Sequence, residues 1–496
     1  MNVFQLFSIY GEFYKGQAPA REVQSLKLDS RAVFPGDVFI AVRGHKVDGH
    51  DFISMACEKG AIGLVVEDMS QIPSSYQGAV LPVKNTRDVI FSLAHFFYEK
   101  PSEKLICIGV TGTNGKTTTT YILEKIFNQF SLPMGVLGTI DHHFKDKVWE
   151  SALTTPDAIT LNRRLYEFLQ LGARAVAFEV SSHALAQKRV NGIHFDTVVF
   201  TNLSRDHMDY HHTQEQYFNE KEKLFTEVLE ASSKKLKHAL VNVDDQYGQA
   251  ISVSLQARRW TYGTTQSDFQ FRVIEASLEG THFQLKSLKG SSRFFLPLIG
   301  LHNVYNAVAA IATALLHGIS EQTIQAGLSS LKVVPGRLER VSSITDRYVF
   351  VDYAHTSDAL RTVGETLRRL KPSKKPVKLL TVFGCGGNRD QGKRPLMLEA
   401  ALQFSDHVFL TSDNPREEPP ESIIEQALEG FESLVGKKVT VQVDRQKAIE
   451  EALSFSQKGD IVLIAGKGHE NYQEIKGKKI PFSDIKVAED AYSHLF

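Results

Sequence analysis

The sequence predicts an α/β protein of more than one domain, and three observations lead to this prediction. The chain has 496 residues, more than a single hydrophobic core usually holds. Short apolar runs typical of buried strands alternate with segments in which apolar residues recur at helical spacing. One such run leads directly into a glycine-rich loop and then into a helical pattern. This alternation favours parallel sheets that are covered by helices on both faces.

Three regions can be separated along the chain. The first covers residues 1–100 and ends at the polar, proline-containing stretch 101–104. The second, residues 101–334, contains the glycine-rich loop. The third, residues 335–496, repeats the alternation of strands and helices. We therefore expect each region to form a domain.

Continuous apolar runs predict the core strands. They lie at 38–42, 63–66, 105–110, 175–178, 197–200, 377–383, 407–410 and 461–465. The stretch 255–295 alternates polar and apolar residues, which predicts an antiparallel β insertion. Loops follow the last three strands at Gly384, Thr411 and Gly466. Because ligands of open α/β sheets bind just past the carboxyl ends of the strands, we expect these loops to meet at one rim.

Composition excludes some classes of protein. Lys and Arg together number 57, as do Asp and Glu, so the chain lacks the basic surplus of a general nucleic-acid binder. Cys57, Cys107 and Cys385 form no CxxC pair, which argues against a disulfide framework or a zinc site. The N-terminal segment lacks a basic leader, and no apolar stretch approaches the ~20 residues that span a bilayer. We expect a cytoplasmic monomer that binds neither nucleic acid nor membrane.

The glycine-rich loop predicts a nucleotide site. A triphosphate needs inward-facing backbone N–H groups, a helix N-terminus and a cation. Lys116 can reach the β- and γ-phosphates, and Thr117 can offer its hydroxyl to Mg²⁺. Val110 occupies the first glycine position of the strict phosphate-loop pattern, so the alternative is a flexible turn before a helix. The expected ATP contacts are Gly112, Thr113, Asn114, Gly115, Lys116, Thr117 and Thr118.

Two polar side chains follow neighbouring apolar runs and could complete a metal site. Glu179 ends one predicted strand, and His207 lies shortly after another. A carboxylate and a histidine near bound phosphates suit Mg²⁺, which takes few protein ligands. Each could instead be structural, as a helix-capping glutamate or a satisfied core histidine. Lys221 lies in an amphipathic helical pattern whose charges would ordinarily face solvent.

Seven ordered motifs together resemble the Mur ligases of peptidoglycan synthesis, and among these the members that add the third residue of the peptide. They are GTNGKTT, EVSSHAL, TNLSRDHMDYH, PGRLE, DYAHTSDAL, FGCGGNRDQGKRP and GKGHE, and they extend over essentially the whole chain. The resemblance implies three domains: a UDP-substrate domain, a central ATPase domain with a parallel sheet, and a Rossmann-like C-terminal domain.

The resemblance also implies roles for single residues. For ATP, it implies that Asn303 contacts adenine and that Arg337 and Asp352 hold the nucleotide when the domains close. For the metal, it implies that Thr117, Glu179, His207 and a carbamylated Lys221 surround Mg²⁺. For the UDP-N-acetylmuramoyl-dipeptide, it implies contacts from Ser30, His45, Lys46, Val47, Thr154, Thr155, Ser181, Gln187 and Arg189.

The rim of the third region has the residue types of a site for a zwitterionic amino acid. Arg389 and Arg416 can each clamp a carboxylate, while Asp413 and Glu470 can accept bonds from an ammonium group. Diaminopimelate has two carboxylates and lysine has one, so the second arginine favours meso-diaminopimelate. The resemblance agrees, since Asp-Asn-Pro-Arg is similar to the diaminopimelate-adding members. The expected contacts are Arg389, Asp413, Asn414, Pro415, Arg416, Gly466 and Glu470; the alternative is a surface turn with a solvated arginine.

Together these features predict an ATP-dependent ligase that forms an amide bond through an acyl phosphate. The cofactors implied are ATP, Mg²⁺ and a carbamate on Lys221. The nearest alternatives are an L-lysine-adding ligase and a folylpolyglutamate synthase-like ligase. An ATPase switch that drives a partner belongs to another class, and it leaves Arg389, Arg416 and Glu470 unexplained.

Overall fold

The computed structural model describes residues 1–17, 20–44, 47–370 and 377–495. Within these ranges the chain forms three large sheets and one separate hairpin. No helix of the described ranges has both the length and the apolar character needed to cross a membrane.

The first sheet is parallel throughout and occupies the N-terminal region. Its strands lie in sequence order: β1 (Leu26–Lys27), β2 (Val38–Ile40), β3 (Gly63–Val66) and β4 (Ala79–Pro82). The helices here are α1 (Val3–Phe7), α2 (Ile53–Glu58) and α3 (Thr86–Phe97). The predicted break is a short helix, α4 (Pro101–Lys104), with Pro101 and Ser102 buried, so the chain packs closely where it enters the next region.

The central sheet has eleven strands. They are β5 (Ile106–Thr111), β6 (Met134–Leu137), β7 (Asp141–Phe144), β8 (Lys147–Glu150), β9 (Ala175–Glu179), β10 (Thr197–Phe200), β11 (His238–Asn242), β12 (Arg258–Gly263), β13 (Phe269–Ser277), β14 (Gly280–Ser287) and β15 (Gly290–Leu296). Their spatial order is β15-β14-β13-β12-β11-β10-β5-β9-β6-β7-β8. The parallel centre places β5 between β10 and β9, so the loops after these three strands meet at one edge.

The helices of this region pack around the sheet. They are α5 (Lys116–Gln129), α6 (Ala158–Gln170), α7 (Ser182–Ala186), α8 (Met208–His211), α9 (Gln214–Lys223), α10 (Gln246–Ala250), α11 (Leu301–Leu316) and α12 (Glu321–Ser330). A π-helical turn, Leu224–Val228, continues directly from α9. Helices α11 and α12 both pack against α5, which thereby fixes the helix that follows the glycine-rich loop.

The antiparallel prediction for 255–295 is confirmed for three strands and wrong for one. Strands β13, β14 and β15 pair antiparallel. Strand β12 instead runs parallel to β11, with Trp260 opposite Leu240, and all four extend the central sheet. The polar residues at the start of β12 are exposed to solvent, and the exposure of its side chains does not determine the direction of a strand.

The third sheet belongs to the C-terminal region. Its strands are β16 (Glu339–Arg340), β17 (Tyr348–Asp352), β18 (Leu379–Cys385), β19 (His407–Ser412), β20 (Val439–Val441) and β21 (Ile461–Ala465), in the order β16-β17-β21-β18-β19-β20. The hairpin is β22 (Tyr472–Ile475) and β23 (Lys478–Pro481). The helices are α13 (Ser357–Arg369), α14 (Lys393–Phe404), α15 (Pro420–Leu428), α16 (Arg445–Phe455) and α17 (Asp484–Leu495).

This strand order confirms the predicted convergence of loops. Strands β21, β18 and β19 are parallel neighbours, so the loops that begin after them lie at the same rim of the sheet. Strand β17 lies on the other side of β21 and brings Asp352 to the same rim.

Candidate active site

The glycine-rich loop folds against the ends of β10 and α11. Gly112 has φ +144°, and a Cβ there would lie 1.9 Å from Thr201 Oγ1. Gly115 has φ +89°, and a Cβ there would lie 2.2 Å from Asn306 Oδ1. Both positions therefore require glycine. The Thr113 amide donates to the Asn202 carbonyl at 2.8 Å, which fixes the loop at the edge of the sheet.

Lys116 begins α5 and curls back over the loop. Its Nζ donates to the carbonyls of Gly112 at 2.9 Å and Thr113 at 2.8 Å. Burial lowers the pKa of Lys116, and the carboxylates of Glu179 and Asp206 partly oppose the shift. A close backbone cradle, a helix N-terminus and a lysine are the parts that a triphosphate requires. Thr117 and Thr118 are buried in the first turn of the same helix, and Asn114 donates its amide to Asn202 Oδ1 at 3.0 Å.

Glu179 lies at the end of β9, on one side of the loop. It is 1% exposed, and its two oxygens accept from the amide and the hydroxyl of Thr139, each at 2.9 Å. His207 lies on the other side, in a left-handed turn with φ +57°. Its Nε2 is 3.5 Å from Asp206 Oδ2, and burial lowers its pKa, which favours the neutral ring that binds metals.

Lys221 is buried, contrary to the solvated face that its helical pattern favoured. It is 1% exposed, donates to the Gly112 carbonyl at 2.9 Å and lies 4.5 Å from the centre of the Tyr217 ring. Burial holds its pKa well below the usual range, and Lys116 adds to the shift. The outer side of α9 instead carries the Glu220–Lys223 pair at 2.8 Å. Lys221 therefore presents a buried amine beside the phosphate cradle, and its lowered pKa favours the uncharged form.

The donor set around the loop fits ATP and Mg²⁺. The cradle is shaped for phosphate, and the Thr117 hydroxyl, a buried carboxylate on Glu179 and a neutral imidazole on His207 lie around it. Oxygen and nitrogen donors of these types, few in number, suit a magnesium ion that keeps most of its water. The amine of Lys221 becomes an oxygen donor only after carbamylation.

The third region reaches the same loop through Arg337. Its Nη2 donates to Thr117 Oγ1 at 3.2 Å, and its guanidinium lies 4.8 Å from the centre of the Tyr353 ring. Asp352 accepts from the amides of Leu338 and Ala354, both at 2.7 Å, so its carboxylate holds the turn that carries Arg337. Asn303 is buried at the start of α11, where its Nδ2 donates to a backbone carbonyl at 2.9 Å.

Five of the residues expected at the sugar-peptide form one network that leads to Glu179. The Thr155 hydroxyl donates to the Glu179 carbonyl at 2.7 Å and accepts from the Ser181 amide at 3.0 Å. The Arg189 guanidinium donates to the Thr155 carbonyl at 2.8 Å and to Gln187 Oε1 at 2.6 Å. Thr154 Oγ1 lies 3.1 Å from Thr139 Oγ1, the same hydroxyl that contacts Glu179.

The first region contributes less defined geometry. Ser30 is buried with its hydroxyl 3.5 Å from Met55 Sδ, and Val47 is exposed. His45 and Lys46, also expected at the uridine diphosphate, lie outside the described residues. A cavity of about 300 Å³ separates this region from the central one; it is lined by Arg43, Gly44, Asn85, Arg87, Asp88, Ala186, Gln187, Lys188 and Tyr210. Gln187 therefore links the network above to the first region.

Arg416 lies at the rim of the third sheet in a strained backbone conformation. Its φ is +53°, and the hairpin holds it there through a bond from its amide to the Glu474 carbonyl at 3.0 Å. Its Nη1 donates to the Gly387 carbonyl at 2.7 Å, and its Nε is 3.3 Å from Glu474 Oε2. Arg389 is exposed, and a Cβ on Gly386 would lie 3.8 Å from its Cγ and 3.2 Å from Arg416 Nη1, so the two arginines lie beside the same glycine. A non-glycine residue with positive φ at such a rim indicates a functional constraint.

Lys467, which the sequence analysis did not single out, contacts Asp413, Asn414 and Glu470. Asp413, Asn414 and Pro415 are buried after β19, and Asn414 Nδ2 donates to Glu470 Oε2 at 2.9 Å. Lys467 is fully buried between them, with Nζ 3.0 Å from both Asn414 Oδ1 and Glu470 Oε2. The signal was present in the motif GKGHE, where Lys467 is flanked by two glycines at the end of an apolar strand.

A second cluster of ligand-type side chains lies between the first and central regions, at His95, Glu103 and His194. Glu103 Oε1 is 3.7 Å from Nε2 of each histidine. The Ser233 amide donates to His194 Nδ1 at 2.9 Å, so a neutral His194 carries its proton on Nε2, the atom that faces Glu103. That tautomer suits a hydrogen bond to the carboxylate and opposes metal binding through Nε2.

Three stretches of the chain match domains of one family. Residues 22–98 match the Mur ligase family catalytic domain, residues 110–314 the Mur ligase middle domain, and residues 336–468 the Mur ligase glutamate ligase domain. These stretches contain the glycine-rich loop, the network at Glu179 and the rim with Arg416.

Two relatives and one solved structure that are similar to this chain share one name. A UDP-N-acetylmuramoyl-L-alanyl-D-glutamate--2,6-diaminopimelate ligase from Aquifex aeolicus (strain VF5) is 45% identical over 95% of this chain and 94% of its own. A ligase of the same name from Cytophaga hutchinsonii is 42% identical, also over 95% of this chain and 94% of its own. A solved structure of a ligase of this name shares 35% identity, with a TM-score of 0.67 and 95% of each chain covered.

The chain belongs to the Mur ligase family. It is an ATP-dependent ligase that joins an acid to an amino acid, as the motifs and the phosphate cradle predicted.

Proposed function

We propose that this ligase adds meso-diaminopimelate to UDP-N-acetylmuramoyl-L-alanyl-D-glutamate, with conversion of ATP to ADP and phosphate. The relatives that cover almost the whole chain carry that activity in their names. The geometry of Arg416 supports it most directly. Its left-handed backbone directs a guanidinium to the rim beside Gly386 and Gly387, where a second carboxylate of the amino acid can be clamped.

The reaction follows from the position of the phosphate cradle. The γ-carboxylate of the D-glutamyl residue attacks the γ-phosphorus of ATP, and ADP leaves, which gives an acyl phosphate. Lys116 and the amides of the loop offset the charge that develops on the transferred phosphoryl group. Thr155, Ser181 and Arg189 form a network that is bonded to Glu179. In this proposal the network holds the peptide so that the γ-carboxylate of its D-glutamyl residue lies in line with the nucleotide.

The second half-reaction joins the amine of diaminopimelate to the activated carbonyl. Attack by the uncharged amine forms the amide bond and expels phosphate, and one proton is released to solvent. Arg389, Arg416, Asp413 and Glu470 orient the amino acid at the rim of the third sheet. Arg337 draws that sheet toward the glycine-rich loop, which brings amine and acyl phosphate together and excludes water.

Mg²⁺ would be held by Thr117, Glu179, His207 and Lys221. When bound, it neutralises phosphate charge during phosphoryl transfer. Lys221 fits a carbamate because its lowered pKa favours the uncharged amine, which lies within reach of the loop. Carbon dioxide adds to that amine with loss of one proton, and the resulting carbamate carries one negative charge and offers two oxygen donors. The reaction is proposed for the cytoplasm, where ATP is available, with the monomer as the acting form.

The alternative functions differ in the substrates that are needed for phosphate to be released from ATP. The function is tested by phosphate release from ATP with the UDP-dipeptide and either meso-diaminopimelate or L-lysine. We expect turnover with meso-diaminopimelate and little with L-lysine. Preference for L-lysine would identify the lysine-adding type, turnover only with a folate and glutamate would identify the folylpolyglutamate type, and full ATPase activity without any acceptor would identify a switch.

Arg416 provides the first specific prediction. Replacing Arg416 with Ala removes a charge-assisted clamp of about 1.5–3 kcal/mol, so kcat/KM for meso-diaminopimelate should fall by roughly tenfold or more. The KM for ATP should not change, because Arg416 contacts Gly387 and Glu474 and not the glycine-rich loop. Arg369→Ala is the matched control, since Arg369 is exposed on α13 of the same region. Equal turnover by both variants would refute the assignment of Arg416.

Lys221 provides the second. With ¹³C-labelled carbon dioxide, the protein should show a carbamate resonance that disappears in Lys221→Met. The phosphate-release rate of the wild type should rise with bicarbonate after exhaustive degassing, whereas Lys221→Met should not respond. Lys223→Met serves as the control because Lys223 pairs with Glu220 on the outer side of the helix. A resonance that persists in Lys221→Met would place the carbamate elsewhere.

A further inference from the structure

Lys467 is a buried lysine that lies beneath the rim at which we propose that the amino acid binds. Its side chain is 0% exposed. Its Nζ lies 3.0 Å from Asn414 Oδ1, 3.0 Å from Glu470 Oε2 and 3.5 Å from Asp413 Oδ1. The three N–H bonds of one ammonium group thus face three acceptors, two of them the carboxylates that would bind the amine of the substrate.

The backbone around Lys467 is built to turn it inward. Gly466 has φ +115°, and a Cβ there would lie 2.6 Å from Asp413 Oδ2. Gly468 has φ +53°, and a Cβ there would lie 2.7 Å from Tyr353 Cβ. The turn therefore packs against Asp413 on one side and Tyr353 on the other, and this close approach fixes the ammonium group below the pocket.

Lys467 also balances the charge of the pocket. Two ion pairs nearby add no net charge: Arg445 with Asp484, which is fully buried, and Arg416 with Glu474. Among the residues expected to contact the amino acid, Asp413 and Glu470 are negative and Arg389 is positive, and Lys467 adds a second positive charge to these three. With Lys467 the sum is zero, which suits diaminopimelate, whose two carboxylates and two ammonium groups also cancel. Without Lys467 the sum is minus one, which suits lysine with its single positive net charge.

We infer that Lys467 is a positioning and specificity-determining residue, which acts through Asp413, Asn414 and Glu470 to favour a diaminoacid with two carboxylates over one with a single carboxylate. It lies between the two acidic side chains and offsets part of their negative charge. The distal end of diaminopimelate, which carries an ammonium group and a carboxylate, is therefore favoured over the distal ammonium group of lysine. The inference rests on the proposed function and adds a residue that acts from below the substrate, without direct contact to it.

The test is the ratio of kcat/KM for meso-diaminopimelate to that for L-lysine, measured by phosphate release. In Lys467→Met the ratio should fall roughly tenfold or more, since charge-assisted contacts of this kind are each worth about 1.5–3 kcal/mol. The fall should come mainly from a raised KM for meso-diaminopimelate, with the KM for ATP unchanged. Lys478→Met, which removes an exposed lysine from the nearby hairpin, should leave the ratio at the wild-type value.

Three results would overturn the inference. One is a folded Lys467→Met protein with a wild-type ratio. Another is an equal proportional loss for both amino acids, which is the mark of a purely structural lysine. If Lys467→Met does not fold, Glu470→Gln is compared with the double variant Glu470→Gln/Lys467→Met, because the loss of the negative charge of Glu470 offsets the loss of the lysine. An equal ratio in these two variants would be the third result.

The same data separate this inference from the proposed function. A wild-type protein that prefers L-lysine refutes the proposed function. The inference about Lys467 depends only on the change of ratio, which must move toward L-lysine when the positive charge is removed.

Discussion

Gly112 shows how little space the phosphate cradle leaves. Replacing Gly112 with Ala places a methyl group 1.9 Å from Thr201 Oγ1 and forces a side chain into φ +144°. We expect the loop to shift, and the KM for ATP to rise by at least about tenfold, since loss of one or two loop N–H bonds to phosphate costs about 1.5–3 kcal/mol. Phosphate-release kinetics at varied ATP measure the effect.

Gly172 supplies the matched control. It also has positive φ, +93°, but a Cβ there meets nothing within 4 Å. Gly172→Ala should therefore cost about 1 kcal/mol of unfolding free energy from backbone strain alone and leave the KM for ATP unchanged. A Gly112→Ala protein with a wild-type KM for ATP would show that the loop does not hold the nucleotide.

Two neighbouring histidines on β7 have opposite pKa shifts. His142 is 3% exposed with no hydrogen-bond partner for either ring nitrogen, and burial, with Arg164 adding, lowers its pKa to about 4. Burial also disfavours charge on His143, but bonds to Asp141 and Glu124 outweigh it and raise its pKa to about 9. His142 is therefore neutral and His143 charged at pH 7.

These shifts predict how stability depends on pH. The folded pKa of His142 lies below the unfolded value of about 6.5, so its contribution is complete above pH 6.5 and is lost as the pH falls toward 4. In His142→Phe, the decline of unfolding free energy between these pH values should be smaller, by up to about 3 kcal/mol. His143→Gln should instead flatten the profile between pH 6.5 and 9, because a raised pKa stabilises at low pH. Urea unfolding across pH measures both, and parallel profiles for wild type and His142→Phe would contradict the prediction.

At the residue scale, a motif was enough to single out a candidate, whereas burial could not be derived from the sequence. Lys116 was assigned from a strand, a glycine-rich loop and a helix. Lys221 could not be singled out by spacing, since its neighbours are charged and only the fold shows that this one lysine faces inward. Lys467 was missed because a lysine next to a glycine ordinarily marks a solvated turn.

At the scale of elements, the strands were the most predictable parts. Parallel strands covered on both faces appear as unbroken apolar runs, so β3, β10 and β21 were predicted to the residue. Direction was less predictable, as β12 shows, because it depends on the path of the chain outside the strand. Side-chain networks such as Thr155–Ser181–Arg189 join residues through loops, and their contacts cannot be derived from periodicity.

The pair Arg445–Asp484 joins α16 to α17 inside the third region. Both side chains are 0% exposed, and the two carboxylate oxygens accept from Arg445 Nε at 2.8 Å and Nη2 at 2.7 Å. Asp484→Ala leaves a buried guanidinium without its partner, which should cost about 3–5 kcal/mol of unfolding free energy. Urea unfolding measures the loss.

An exposed pair provides the comparison for that experiment. Glu365 and Arg369 lie one turn apart on α13, with 3.7 Å between Oε2 and Nη2, and both are exposed. Glu365→Ala should change the unfolding free energy by less than about 0.5 kcal/mol, since solvent screens the pair. Equal effects of the two substitutions would mean that burial does not determine the strength of the Arg445–Asp484 pair.

At the scale of the whole molecule, the proposed site is assembled from parts that are remote in sequence. The central sheet supplies the phosphate cradle, the third sheet supplies the rim with Arg416 and Lys467, and the cavity at Gln187 adjoins the first region. Some strands of each sheet were predicted from local apolar patterns. The relative placement of the sheets was expected only through the resemblance to Mur ligases, because contacts between domains leave little trace in the periodicity of either one.

The bond from Arg337 to Thr117 couples the affinity for the nucleotide to the docking of the third domain. A ligand that engages the Thr117 hydroxyl alters the free energy of holding Arg337, and by thermodynamic linkage a shift in the position of the third domain alters the affinity for that ligand by the same factor. Where the amino acid and ATP favour the same position of the third domain, each raises the affinity of the enzyme for the other by the same factor. One contact of 3.2 Å can thus couple the binding of ATP to the binding of the amino acid.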